Sequence, residues 1–247
     1  MRTFEQNKTD YKCLDDNVLM KNNLNSNIEK KIIDISSNFK IKHNIPVIVE
    51  VSGTPNSGKT STTQTIEKLL KRSDSRLKVK IIGEAANRCK IKDKLSPDFN
   101  QWTASETIKL LTEVVYNDYD LVICERGIFD ALCWIQFHFN DGRISKREFD
   151  AMSSYFSLQT YVDKIGILIV MKCGVDTSIS RENMHGIVDT KGTIVNEEVL
   201  MKLNSAIEQT YLKYKNFFAD SLILDTTDLT PTCINKEFLD ILLSRLT

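Results

Sequence analysis

The stretch that decides the fold runs from the apolar segment PVIVEVS (46–52) into Gly53-Thr54-Pro55-Asn56-Ser57-Gly58-Lys59-Thr60 and on through Ser61 to Leu70. The first segment is short and β-branched, as a strand covered on both faces should be. The second has the spacing G-x-x-x-x-G-K-T, and the third places apolar residues at helical intervals. A glycine-rich turn that enters a helix aims several backbone N–H groups at one point, where the helix dipole also favours an anion. Residues 53–61 are therefore expected to cradle the phosphates of a nucleoside triphosphate. In this arrangement Lys59 reaches the β- and γ-phosphates and the Thr60 hydroxyl ligates Mg²⁺.

Outward from that loop, short apolar runs recur at KVKIIG (78–83), DLVICE (120–125), KIGILIVMK (164–172) and SLILD (221–225). Segments of helical periodicity separate them at 59–72, 103–117, 128–139, 146–160, 175–184 and 196–218, and a last one runs from Asn235 to Leu246. Strand and helix in alternation predict a doubly wound α/β fold of three layers, with five parallel strands flanked by helices and ligands bound at the C-terminal strand ends. Residues 45–247 read as one domain. Residues 1–44 read as an extension, with a poorly ordered lead over 1–22. In 24–41, Leu24, Ile28, Ile32, Ile35 and Phe39 form an amphipathic helical stripe.

Thirty-three Lys and Arg balance thirty-three Asp and Glu, so the chain lacks the basic excess that drives counterion release on nucleic acids. No stretch approaches the ~18 apolar residues of a membrane span, and the N-terminus has no apolar signal core. The six cysteines contain no C-x-x-C pair and only three histidines accompany them, which speaks against zinc sites or a disulfide framework and fits a cytoplasmic protein. His138 and His185 have no companion ligands in the sequence and read as structural or solvated.

Two strand ends carry the remaining chemistry. After the second comes Gly83-Glu84-Ala85-Ala86-Asn87-Arg88, where Glu84 and Arg88 either form an i,i+4 surface pair or present an acid and a cation to an acceptor. After the third comes Glu125-Arg126-Gly127, with Asp130 following. An acid that closes an apolar strand beside the phosphate loop is placed to hold Mg²⁺. Arg126 either meets the acceptor or pairs with Asp130. The run Leu95 to Trp102 offers Phe99 and Trp102 as a base-stacking surface or as core contacts of a loop. GTPase signatures fail, since Cys124-Glu125-Arg126-Gly127 and Asn235-Lys236-Glu237-Phe238 stand where D-x-x-G and N-K-x-D would. A ring ATPase would need a helical lid domain after the core, and strands four and five with their helices occupy that length.

Taken in order, these features resemble the nucleoside and nucleotide kinases of the P-loop class, including thymidylate and deoxynucleoside kinases. The resemblance spans about Pro46 to Leu246. It rests on the phosphate loop, the acid after strand two, Glu125-Arg126-Gly127 with Asp130, a lid segment Val175 to Met184 carrying Arg181, and Leu222-Ile223-Leu224-Asp225-Thr226-Thr227 before the last helix. It implies ATP and Mg²⁺ as cofactors, Glu84 as the base that takes the acceptor proton, and Glu125 and Arg126 for metal and substrate. The family's lid usually presents two or more arginines, whereas here Lys191 is the next cation after Arg181.

The expectation is a Mg²⁺-dependent kinase that transfers the γ-phosphate of ATP to a nucleoside or nucleotide. Lys59, Glu84, Glu125, Arg126 and Arg181 are its catalytic residues, and Glu84, Arg88, Trp102, Arg126 and Asp130 hold the acceptor. Glu84 favours a hydroxyl acceptor, because a phosphate is already nucleophilic; Arg88 and Arg126 together would instead clamp a monophosphate. A homodimer is an open possibility for assembly. The alternatives are a nucleotide-responsive regulatory ATPase with a partner protein, favoured by the thin lid and the 24–41 stripe, and a kinase of polynucleotide 5′ ends.

Overall fold

A computed structural model describes residues 46–74, 76–185 and 194–246, together with Lys30. The segments 1–22 and 24–41, save Lys30, and the cation Lys191 lie outside the described residues. Five strands form one parallel sheet: β1 (Val47–Gly53), β2 (Val79–Ile82), β3 (Leu121–Glu125), β4 (Ile165–Lys172) and β5 (Ser221–Asp225), in the order β2-β3-β1-β4-β5. The helices are α1 (Lys59–Ser73), α2 (Pro97–Val114), α3 (Ile128–Asn140), α4 (Lys146–Phe156), α5 (Gln159–Val162), α6 (Val175–His185), α7 (Glu197–Tyr214) and α8 (Pro231–Leu246).

Each strand lies where the apolar runs predict it. The helix boundaries differ in places for local reasons. Helix α2 begins at Pro97 rather than 103, because the Ser96 side chain accepts from Phe99 N–H and Pro97 occupies the first turn. The run 95–102 is thus largely helix rather than loop. The segment 146–160 divides into α4 and α5, since the chain leaves the helix at Ser157 and Leu158. Helix α8 starts at Pro231, four residues before the expected Asn235.

The strand alternation sorts the core into two layers. Val49, Val51, Ile123, Ile167 and Ile169 face α1 and α8, meeting Ile66, Leu70, Phe238 and Leu242. Ile48, Val122, Leu168 and Val170 face the other way, onto Phe129, Leu132, Ile135 and Phe137 of α3 and Leu203 and Ile207 of α7. Burying each such side chain is worth about 1.5–3 kcal/mol, so both layers contribute substantially. One member of β1 breaks the apolar pattern: Glu50, fully buried, points into the α3 layer.

Strand order then places the site. Because β3 lies between β2 and β1, the turns that leave β1, β3 and β2 at their C-terminal ends stand side by side. They carry the phosphate loop, Glu125-Arg126-Gly127 and Glu84.

Candidate active site

The turn after β1 has the backbone of a phosphate cradle. Gly53 (φ 123°), Asn56 (φ 57°) and Gly58 (φ 94°) are all left-handed. A Cβ on Gly53 would lie 2.1 Å from the Met171 carbonyl oxygen, so only glycine fits there. Lys59 begins α1 and turns back over the loop, donating to the carbonyls of Gly53 (3.1 Å) and Thr54 (2.5 Å) and to Ser57 Oγ (3.3 Å). Burial and then the nearby Arg126 charge pull its ammonium down to about 7. A bound polyphosphate would reverse that pull, since an anion favours the charged lysine.

The Thr60 hydroxyl donates to Glu125 Oε1. A hydroxyl and a carboxylate in contact beside a phosphate cradle fit Mg²⁺, which characteristically takes one or two protein oxygens and completes its shell with phosphates and water. Among the described residues no cluster of three or more His, Cys, Asp or Glu side chains forms a metal site of another kind.

Beside the cradle opens a cleft lined by Glu84, Phe99, Asn100, Thr103, Arg126, Asp130 and Trp134. Arg126, a non-glycine residue at φ 59°, lies between two carboxylates. Its Nη1 donates to Asp130 Oδ1 at 2.9 Å, and its Nε lies 2.9 Å from Glu84 Oε1 without hydrogen-bond alignment. Burial opposes the guanidinium charge, but Glu84, Asp130 and Glu125 outweigh it and hold the arginine firmly ionised. Burial raises the Asp130 carboxyl, with Arg126 pulling the other way.

Arg126 thus pairs with Asp130, as one of its two readings expected, and it also lines the cleft. Glu84 pairs with Arg126 rather than with Arg88. Arg88 leaves the cleft altogether and reaches toward Glu106 on α2 at 3.7 Å, nearly half its side chain exposed. Trp102 is also displaced from its expected place. The cleft face of α2 repeats at 99, 100, 103 and 107, which puts Trp102 on the outer side, partly in solvent. The aromatic surface of the cleft comes from Phe99 and Trp134.

Arg181 lies on α6 against the phosphate loop, and its terminal nitrogens are fully engaged. Nη1 donates to Asn56 O (3.1 Å) and Thr226 Oγ1 (3.3 Å), and Nη2 to Thr226 O (2.6 Å) and Leu229 O (3.1 Å). In this arrangement it braces the loop instead of presenting N–H groups to a phosphate. Sequence reasoning missed its companions. Ser178 Oγ donates to Pro55 O (2.8 Å), Asn56 Nδ2 donates to Glu182 Oε2 (2.8 Å), Thr226 Oγ1 donates to Ser57 O (3.0 Å) and Thr54 Oγ1 donates to Asn204 Oδ1 (2.8 Å). The spacing of 178, 181 and 182 marks one helical face, but nothing local says that the face meets the loop.

No family model matches the sequence, and no curated protein is detectably similar to it in sequence. Solved structures are similar in fold. Deoxyadenosine kinase from M. mycoides with bound dATP superposes with a TM-score of 0.62 at 15% identity, covering 79% of this chain and 99% of that one. The same enzyme with dCMP and dCDP gives 0.60 at 16%, covering 80% and 100%. Thymidylate kinase from Candida albicans gives 0.55 at 11%, covering 82% and 94%. With its five parallel strands and flanking helices, the chain has the fold of the P-loop nucleoside and nucleotide kinases.

Proposed function

We propose that the protein is a Mg²⁺- and ATP-dependent kinase whose acceptor is a hydroxyl group of a nucleoside. The observation that carries this reading is the ionic state of the cleft. Its buried cation, Arg126, is already balanced by two carboxylates, Glu84 and Asp130, and Arg88 is turned away to Glu106. A monophosphate there would face two carboxylates, with the solvent-exposed Lys94 the other cation on the cleft wall, whereas an alcohol finds a carboxylate that can accept its proton.

The phosphate loop holds the ATP phosphates through its backbone N–H groups and Lys59, and Thr60 with Glu125 would hold Mg²⁺. When bound, the metal neutralises charge that develops on the phosphates. Glu84 accepts the hydroxyl proton as the acceptor oxygen bonds to the γ-phosphorus and the bond to the β-bridging oxygen breaks, leaving ADP. Arg126 orients Glu84 and Asp130 toward the acceptor, and Phe99 and Trp134 flank an aromatic base. Support comes from this geometry together with the shared fold of the deoxyadenosine and thymidylate kinases.

Steady-state kinetics of Glu84→Gln test the reading. Loss of the base should lower kcat by ~10²–10⁴-fold with little change in the KM for ATP. Unchanged kcat would remove Glu84 from the mechanism. A second reading, a nucleotide-responsive protein that acts through a partner, draws on the engagement of Arg181 by backbone carbonyls; it predicts Lys59-dependent ATP binding with no transfer.

A further inference from the structure

Glu50 is an acid in the middle of an otherwise apolar buried strand, and no step above uses it. Its carboxylate is saturated with donors. Oε1 accepts from Ser52 Oγ (2.7 Å), Gly127 N–H (3.1 Å) and Asp130 N–H (3.2 Å), and Oε2 accepts from Ile128 N–H (3.0 Å). Three of these belong to the first turn of α3, where backbone N–H groups have no partner within the helix. Gly127 stands at the cap position with no side chain to supply one. The cap arrives from another strand instead.

The carboxylate also explains the glycine. A Cβ on Gly127 would lie 2.4 Å from Glu50 Cδ and 2.5 Å from Oε2. Acid and glycine thus fit as a pair, and the residue just before them is Arg126 in its left-handed conformation, its N–H donating to Val51 O at 3.0 Å. That conformation is unfavourable for a residue with a Cβ and persists only where the surroundings impose it. Besides the side-chain contacts of Glu125 and Arg126, the backbone N–H groups of the turn are held from β1: one by the Val51 carbonyl and three by the Glu50 carboxylate.

We propose that Glu50 is a positioning residue for phosphoryl transfer: by capping α3 from β1 it sets the 125–130 turn and so places Arg126 and Asp130 in the acceptor cleft. This rests on the functional reading above for the roles of Arg126 and Asp130. Glutamine at position 50 has the same shape and can keep its oxygen at the Oε1 place, but its NH₂ then stands against the Ile128 N–H, so it weakens the cap at that donor without opening a cavity.

The test compares full-length wild type, Glu50→Gln, Arg126→Ala and the double variant by kcat and KM for ATP and for a nucleoside acceptor. Amide hydrogen exchange at Gly127, Ile128 and Asp130 accompanies the kinetics. Glu50→Gln should lower kcat/KM for the acceptor on the order of 10²-fold, the loss typical of a misplaced site, and leave the KM for ATP within about twofold. It should speed exchange most at Ile128, whose N–H faces the NH₂ group. In the Arg126→Ala background the same change should cost clearly less than in wild type, because one of the two groups it positions is gone. Ser52→Ala, which removes a single donor, should show the same pattern at about 3–10-fold and decides the matter if Glu50→Gln does not fold. Equal losses in ATP and acceptor parameters, or additive losses in the double variant, would overturn the proposal in favour of a general structural role. If wild type phosphorylates no acceptor, the functional reading falls by itself. Unchanged exchange at the three amides would then show that Glu50 does not hold the turn.

Discussion

Both ring nitrogens of His138 are buried without a hydrogen-bond partner, and the ring packs against Trp134 and Phe137. Burial, with Arg143 nearby, pulls its pKa from 6.5 down to about 4. A group whose folded pKa is depressed contributes stability that is present above the unfolded pKa and lost as pH falls through the folded one. Wild type should therefore lose stability between pH 6.5 and about 4, by up to roughly 3 kcal/mol from this residue. His138→Phe gives up no hydrogen bond and should flatten that slope relative to wild type in urea melts at pH 7, 5.5 and 4.5. Parallel curves would refute the assignment. The sequence already marks His138 as a histidine without companions, because its neighbours are apolar at helical spacing. Arg126 is different: its pairing with Asp130 is readable at i,i+4, but its contact with Glu84 depends on β2 lying next to β3, which no local pattern encodes. The same long-range packing is why the expected roles of Arg88, Trp102 and Arg181 differ from their places in the structure.

At the scale of elements, β1, the phosphate loop and α1 are legible almost to the residue, since strand, glycine spacing and helix all depend on local chemistry. Gly53 shows how tightly the loop is held to the sheet. With φ 123° and the Met171 carbonyl oxygen 2.1 Å from where a Cβ would stand, Gly53→Ala must either strain the backbone or part the end of β1 from β4. It should destabilise the protein by roughly 2–4 kcal/mol and abolish measurable ATP binding, read by urea melts and calorimetric titration. Wild-type ATP affinity in this variant would show that the loop is not built as described. Element starts are less legible where caps decide them. Ser96-Pro97 carries the signal for the start of α2, but the apolar spacing becomes regular only later. Glu50 is hidden for another reason. A lone acid in an apolar strand has only Ser52 beside it in sequence, and its other three donors lie nearly eighty residues away, at the start of α3.

For the whole molecule, composition and alternation suffice for the α/β class, and the order β2-β3-β1-β4-β5 adds what they cannot: which strand ends become neighbours. That order brings three separate motifs together, the glycine-rich loop after β1, Thr60 with Glu125 between β1 and β3, and Glu84 with Arg126 between β3 and β2, which the proposed function assigns to phosphates, metal and acceptor. No helix among the described residues is long and apolar enough to cross a membrane. The proposed acceptor class rests on how charges are distributed over this site, with Arg126 held between Glu84 and Asp130 and Arg88 drawn off to Glu106. The most direct test is transfer of labelled γ-phosphate from ATP with Mg²⁺ to separate pools of nucleosides, nucleoside monophosphates and oligonucleotide ends, with Lys59→Ala as control. The account predicts a labelled product from the nucleoside pool that disappears in Lys59→Ala. Label confined to the monophosphate or oligonucleotide pool, or no product despite Lys59-dependent ATP binding, would contradict it.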